Sequence, residues 1–94
     1  MNYLWNFYID CGRSGSIEGL FVATEEEVEN LIGKRIYIDE PLGKHSEVSG
    51  TIEKHEITKL ELDSETVDKV SRILGSTWSG FNPFDYVREE VENE

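Results

Sequence analysis

Side chains that commonly act in catalysis are scarce in this chain of 94 residues, which has one cysteine and two histidines. A nucleophilic Cys11 would need a neighbouring base to lower its pKa, and only Arg13 is close in sequence, so a buried structural thiol is favoured. His45 and His55 lie on different predicted segments, outside the usual spacing of metal ligands, and surface histidines are the commoner arrangement. We therefore expect no enzymatic activity, no cofactor and no metal site.

Two glycine-bracketed loops are the best candidates for a ligand site. Residues 12–19 and 43–50 each have Gly at both ends, a basic residue second and a β-branched apolar residue sixth. Glycines let backbone amides approach a ligand closely, and successive amides make an anion-binding concavity. The candidate side chains are the bases, hydroxyls and imidazole of the two loops: Arg13, Ser14, Ser16, Lys44, His45 and Ser46. They indicate a nucleotide-like anion, although neither loop matches a known phosphate-binding motif. The alternative is two ordinary hairpin turns.

Two similar runs of secondary structure would position these loops. In the first, apolar residues alternate with polar ones from Trp5 to Cys11, which predicts a half-buried strand. Residues 17–23 predict a second strand that is covered on both faces. Thr24 and Glu27 then form a capping box that opens a helix, and Gly33 ends it.

In the second run, a strand at residues 36–39 leads through the second loop into an extended region that ends at residue 62. Asp63 or Ser64 caps a second helix, which Gly75 closes. Its predicted core face comprises Val67, Val70, Ile73 and Leu74. Asn82 as cap and Pro83 in the first turn predict a short final helix.

These elements predict an α+β fold: an antiparallel sheet from two ββα units, packed by two helices, with a short C-terminal helix. The two units, residues 3–33 and 34–75, match in their loops and helix ends, which suggests an internal duplication. We expect a single domain over residues 1–88, followed by a frayed acidic tail at 89–94.

The charge balance indicates the kind of partner. Twenty acidic against nine basic residues give a formal net charge of −11, which disfavours direct nucleic-acid binding and suits a basic protein surface. The candidate contacts are the helix acids and two later rings: Glu25, Glu26, Glu29, Trp78 and Phe81. The alternatives are that the acids only keep the protein soluble, that the rings pack in the core, and that the chain is a homo-oligomeric assembly subunit.

The sequence also predicts a cytoplasmic location. No run approaches the roughly 18 apolar residues of a membrane span. The first residues, 1–6, lack the basic flank of a signal peptide, and a lone cysteine fits a reducing compartment.

Two segments resemble small accessory proteins of bacteriophages and other mobile elements: Leu42-Gly43-Lys44-His45-Ser46-Glu47-Val48 and Ser79-Gly80-Phe81-Asn82-Pro83-Phe84-Asp85-Tyr86. The resemblance covers most of the chain, but it transfers no functional residue. It implies an inhibitor of bacterial immunity, such as an anti-CRISPR protein, that occupies a basic surface of a host defence protein within the bacterial cell. Sequestration of a nucleotide immune signal by the two glycine-bracketed loops is the alternative.

Overall fold

A long β-hairpin at the start of the chain forms the centre of the fold. In the computed structural model, which describes residues 1–12, 15–38 and 48–88, β1 (Asn2–Asp10) pairs with β2 (Ser16–Thr24) along its whole length. The pairing runs from Asn2 opposite Thr24 to Asp10 opposite Ser16. Trp5, Phe7 and Ile9 therefore share one face of the hairpin, as the alternating pattern predicts.

The remaining described strands complete two antiparallel sheets. β5 (Ile57–Lys59) and β6 (Thr77–Gly80) flank the hairpin in the order β5-β1-β2-β6. β3 (Arg35–Ile38), β4 (Val48–Thr51) and β7 (Val87–Arg88) form a second sheet in the order β4-β3-β7. The predicted α+β class with antiparallel pairing is confirmed, and the strands divide between two sheets.

The extended region predicted to end at residue 62 is interrupted by a 3-10 turn at Lys54–Glu56. The Glu56 carboxylate accepts a hydrogen bond from the Glu53 amide at 3.0 Å, and this reciprocal cap stabilises the turn. The chain thereby leaves the second sheet after β4 and joins the first sheet as β5, beside β1.

The core lies between the two sheets and the first helix. Phe7, Ile17 and Phe21 are fully buried, and they pack with Leu31 of the helix and with apolar residues of the second sheet, Ile36 and Ile38. Leu4 points to the opposite face of β1, and α2 packs on this strand. The second face of β1 is therefore covered near Leu4, whereas Tyr8 on the same face is 42% exposed.

The two helices begin and end where the sequence predicts. α1 (Glu25–Leu31) starts with the capping box, in which Thr24 Oγ1 accepts from the Glu27 amide at 3.1 Å and Glu27 Oε1 accepts from the Thr24 amide at 2.9 Å. α2 (Ser64–Leu74) is capped by Asp63 and ends at Gly75, whose φ of +83° suits glycine. In the described part of the chain, no helix is long and apolar enough to cross a membrane.

The predicted core face of α2 is wrong at its C-terminal end. Val67 is fully buried and Val70 is half-buried, but Ile73 is 82% exposed and Leu74 is 55% exposed. The helical periodicity continues to the last turn, whereas no described element covers that turn. Two large apolar side chains therefore face solvent beside the C-terminus of α2.

A close backbone crossing holds the C-terminal segment against the hairpin. Gly19 of β2 lies opposite Gly80 of β6, and the Phe81 amide donates to the Glu18 carbonyl at 3.0 Å. A Cβ atom on Gly19 would lie 2.6 Å from Phe81 N and still closer to the Phe81 carbonyl oxygen. The crossing therefore requires glycine at position 19.

The predicted final helix is a 3-10 turn at Pro83–Tyr86. The buried Asn82 side chain caps it, because its Oδ1 accepts from the Phe84 amide at 3.0 Å and its Nδ2 donates to Thr77 Oγ1 at 2.8 Å. The predicted tail at 89–94 lies outside the described residues. The internal duplication and the single-domain boundary stay predictions.

Candidate functional site

A groove of about 420 Å³ opens where α1, the end of α2 and the 3-10 turn meet. Its volume falls in the range of roughly 300–1,000 Å³ that is typical of small-molecule sites. The wall combines carboxylates, amides and hydroxyls with one aliphatic side chain and one ring: Asn2, Val22, Glu27, Ser71, Gly75, Ser76, Asn82, Phe84 and Asp85. We call this depression the main groove.

A smaller depression of about 220 Å³ adjoins the main groove and shares Glu27 and Phe84 with it. It extends along α1 to Lys34 and is floored by Leu31. The ring of Phe84 separates the two depressions. It is 39% exposed, yet its other side packs edge-on against the buried ring of Phe21, with centroids 5.7 Å apart. The dividing wall is thus anchored in the core.

The main groove is electrically negative. Two of its described lining residues, Glu27 and Asp85, are acidic and none is basic. Asn2 adds a third carboxylate nearby, because its Nδ2 donates to Asp68 Oδ1 at 3.2 Å. Lys34 lines only the smaller depression. A positive group is therefore the better match for the main groove.

One hydroxyl in the wall of the main groove has no hydrogen-bond partner among the described residues. Ser71, on the last turns of α2, lines the groove, and its Oγ is buried from solvent. A buried polar atom without a partner costs free energy.

The acidic residues predicted to contact a partner lie on α1, beside the groove. Glu25, Glu26 and Glu29 are all exposed, but Glu25 accepts a hydrogen bond from Lys59 Nζ at 2.7 Å. This bond raises the pKa of Lys59 above its ordinary value, and the ammonium also lies 4.0 Å from the centre of the Tyr3 ring. Glu26 and Glu29 form no ion pair with any described residue, so their charges face solvent unpaired.

The two rings predicted as partner contacts are half-buried. Trp78 donates from Nε1 to the Gly75 carbonyl at 3.2 Å, which fixes the indole over the end of α2 at the rim of the main groove. Phe81 packs against the core and lies 5.7 Å, centre to centre, from the ring of Tyr86. The indole of Trp78 is therefore bonded to a groove residue, Gly75, whereas the ring of Phe81 packs against the core and Tyr86.

The candidate ligand residues of the two glycine-bracketed loops lie mostly outside the described residues: Arg13, Ser14, Lys44, His45 and Ser46. In the described part of the first loop, the amide of Gly12 donates to Asp10, that of Cys11 to Gly15 and that of Gly15 to Gly12. Ser16 donates to the Glu18 carboxylate at 3.3 Å. These groups are engaged within the loop, and the anion site stays a prediction.

The potential nucleophile and the described histidine stand apart from the groove. Cys11 is half-buried and packs against the core, and desolvation, assisted by the charge of Asp10, raises the pKa of its thiol. A raised pKa leaves little thiolate, the nucleophilic form, at neutral pH. His55 is exposed, with Nδ1 3.4 Å from Glu53. Within residues 1–12, 15–38 and 48–88, no group of three or more potential ligands could hold a metal ion.

Sequence reasoning missed most of the groove. Asn82 and Pro83 predict the start of a short helix and Gly75 predicts a helix end, but nothing in their spacing shows that these two segments meet beside α1. Ile73 and Leu74 are exposed beside the groove, although their helical spacing predicts that they are buried. The groove depends on tertiary contacts between residues that are far apart in the chain.

The chain was compared with protein-family models, with curated proteins and with solved structures. None of the three comparisons finds a match. The geometry and charge of the main groove and its rim are therefore the features that indicate a function.

Proposed function

We propose that this protein is a non-enzymatic inhibitor that binds a basic surface of another protein through the face that carries the main groove. The observation that carries the proposal is the groove itself, whose described wall contains two carboxylates and no base, in a chain with a net charge of −11. We infer from the resemblance to phage accessory proteins that the partner is a bacterial defence protein, met in the bacterial cytoplasm.

In this proposal, the charged residues speed association with the partner, and the apolar residues stabilise the bound complex. The unpaired Glu26 and Glu29 beside the groove attract a positive surface over about 8–10 Å at physiological salt, which speeds encounter. Ile73 and Leu74, exposed at the adjoining end of α2, supply apolar area that a partner would remove from water. Encounter is therefore sensitive to salt, whereas the lifetime of the complex depends on the contacts at the groove.

A basic nucleic-acid channel is the target that fits these features best. Such a channel presents lysines and arginines that normally contact phosphates. An acidic protein that occupies the channel competes with DNA or RNA for the same side chains. Inhibition then needs no chemistry, only occupancy of the channel.

The test is a phage-plating assay in bacteria that carry individual defence systems. Expression of the protein is expected to restore plaques against at least one system. The variant Glu26→Gln/Glu29→Gln removes two of the unpaired charges beside the groove and is expected to lower the restoration. The control, Glu61→Gln/Glu65→Gln, removes the same total charge at exposed positions outside the groove lining, where Glu65 lies 3.9 Å from the Lys69 ammonium.

Binding measurements on this protein and the responding defence protein, both purified, then test the mechanism of inhibition. The association rate with the responding defence protein is expected to fall as salt rises, and bound nucleic acid is expected to be displaced. Equal restoration by both double variants and the wild-type protein would contradict the proposal, as would restoration that requires turnover of a substrate.

A further inference from the structure

The main groove combines negative charge with an aromatic wall, and this combination is selective. Glu27 uses one carboxylate oxygen, Oε1, to cap α1, which leaves Oε2 to accept a bond from a ligand. The Asp85 carboxylate is exposed and makes no hydrogen bond or ion pair with any described residue. These carboxylates offer acceptors from two different elements, α1 and the 3-10 turn, around one space.

A ligand that matches this arrangement must be positive and must carry several hydrogen-bond donors. A guanidinium group has five N–H donors in a planar fork, and it binds carboxylates with two parallel bonds. An ammonium group has three donors and acts as a compact, strongly hydrated charge. The guanidinium, with its wider fork of donors, is the better match for two carboxylates on separate elements, α1 and the 3-10 turn.

The apolar part of the wall also favours a guanidinium. The Phe84 ring is exposed towards the groove and held from behind by Phe21, so it offers a fixed face. A guanidinium is weakly hydrated and stacks on aromatic faces, and its alkyl stem can lie along Val22. We propose that the main groove binds an arginine side chain of the partner protein, with Asp85 and Glu27 as its carboxylate acceptors.

This inference rests on the proposed function, since it names the partner group that the acidic face receives. It is more specific than charge matching, because an unstructured acidic surface would bind any cation. Arginine is also, with lysine, a residue that nucleic-acid-binding channels use for phosphate contacts. A single side chain in the groove would give the complex a fixed register.

The test uses N-acetyl-arginine amide as the probe and the ¹⁵N-labelled full chain. Titration is expected to give saturable shifts at the backbone amides of Ser71, Ser76 and Phe84. N-acetyl-citrulline amide, which has the same shape without the charge, is expected to give none, and N-acetyl-lysine amide is expected to bind more weakly than the arginine amide.

Asp85→Asn is expected to weaken arginine binding about tenfold, the effect of losing one charge-assisted hydrogen bond. Its spectrum also shows whether the variant is folded. Glu61→Gln, the control with the same charge change away from the groove, is expected to bind as the wild-type protein does.

Equal binding of the citrulline or lysine probe would overturn the arginine site. The same holds for shifts that are spread over all exposed acids and unchanged by Asp85→Asn. In either case the proposed function stands if the plating assay still depends on Glu26 and Glu29. The converse result is that arginine binds in the groove while the Glu26→Gln/Glu29→Gln variant restores plaques as well as the wild-type protein does. That result would refute the proposed function but not the arginine site.

Discussion

Replacing Gly19 by Ala tests whether the close backbone crossing between β2 and β6 stabilises the fold. Position 19 is buried, and its backbone is not in the left-handed region, so alanine is acceptable for the strand itself. The added methyl group would lie 2.6 Å from Phe81 N, nearer than the 3.0 Å below which real Cβ contacts essentially never occur. The two strands must therefore separate, or β6 must shift along β2.

The expected loss of stability follows from the contacts that such a separation disrupts. Overpacking of this kind costs about 1–3 kcal/mol. Breaking the hydrogen bond from the Phe81 amide to the Glu18 carbonyl adds about 1 kcal/mol. A domain of this size has about 5–14 kcal/mol in total, so the variant stays folded but is strongly destabilised. The combined loss of about 2–4 kcal/mol, at about 4–8 °C per kcal/mol, lowers the melting temperature by at least about 8 °C.

Thermal unfolding followed by circular dichroism measures this effect, with Gly33→Ala as the matched control. Gly33 has a φ of +96°, which disfavours alanine, but open space surrounds its missing side chain. Its substitution therefore costs conformational strain alone, about 1–2 kcal/mol. If Gly19→Ala is no more destabilising than Gly33→Ala, the proposed contact between the two backbones is refuted.

Three further predictions concern α2 and the thiol. Ile73→Ser is expected to change the free energy of unfolding by less than about 0.5 kcal/mol, whereas Val67→Ala, on the same helix, costs about 2 kcal/mol in urea denaturation. Thr66 holds the pKa of Asp63 below its ordinary value, so that carboxylate stabilises the fold above the unfolded-state pKa and ceases to do so as pH falls through the folded-state value. The melting temperature of wild type minus that of Asp63→Asn, which keeps the capping oxygen, should therefore fall on acidification. Asp10→Asn is expected to lower the pKa of Cys11 and speed its alkylation by iodoacetamide at pH 8, and an unchanged rate would contradict the role of the Asp10 charge.

Local signals in the sequence predicted local structure well. The capping box at Thr24 and the cap at Asn82 are satisfied by atoms within three residues, so residue type and spacing suffice to predict them. The alternation along β1 is equally local, and Trp5 and Phe7 are buried as it predicts. These patterns depend on backbone periodicity, which is the same in any fold.

Features that depend on which elements meet could not be predicted in this way. Ile73 has the spacing of a core residue, but its exposure depends on where the covering elements stop. The close approach at Gly19 depends on a residue far along the chain, Phe81, and nothing next to Gly19 indicates it. The groove depends both on where elements end and on which distant residues meet. For this reason neither Ser71 nor Asp85 could be predicted as a groove residue from the sequence.

The interleaving of strands in the two sheets has a consequence for when the protein becomes active. β5 joins the sheet of the hairpin, and β7, almost at the end of the described chain, completes the sheet of β3. Such distant pairings make folding slow relative to a helical bundle, because much of the chain must be ordered before they form. The groove draws its wall from Asn2 at one end and Asp85 at the other. A chain still emerging from the ribosome therefore lacks the site, and binding competence arrives in one step, together with the finished fold.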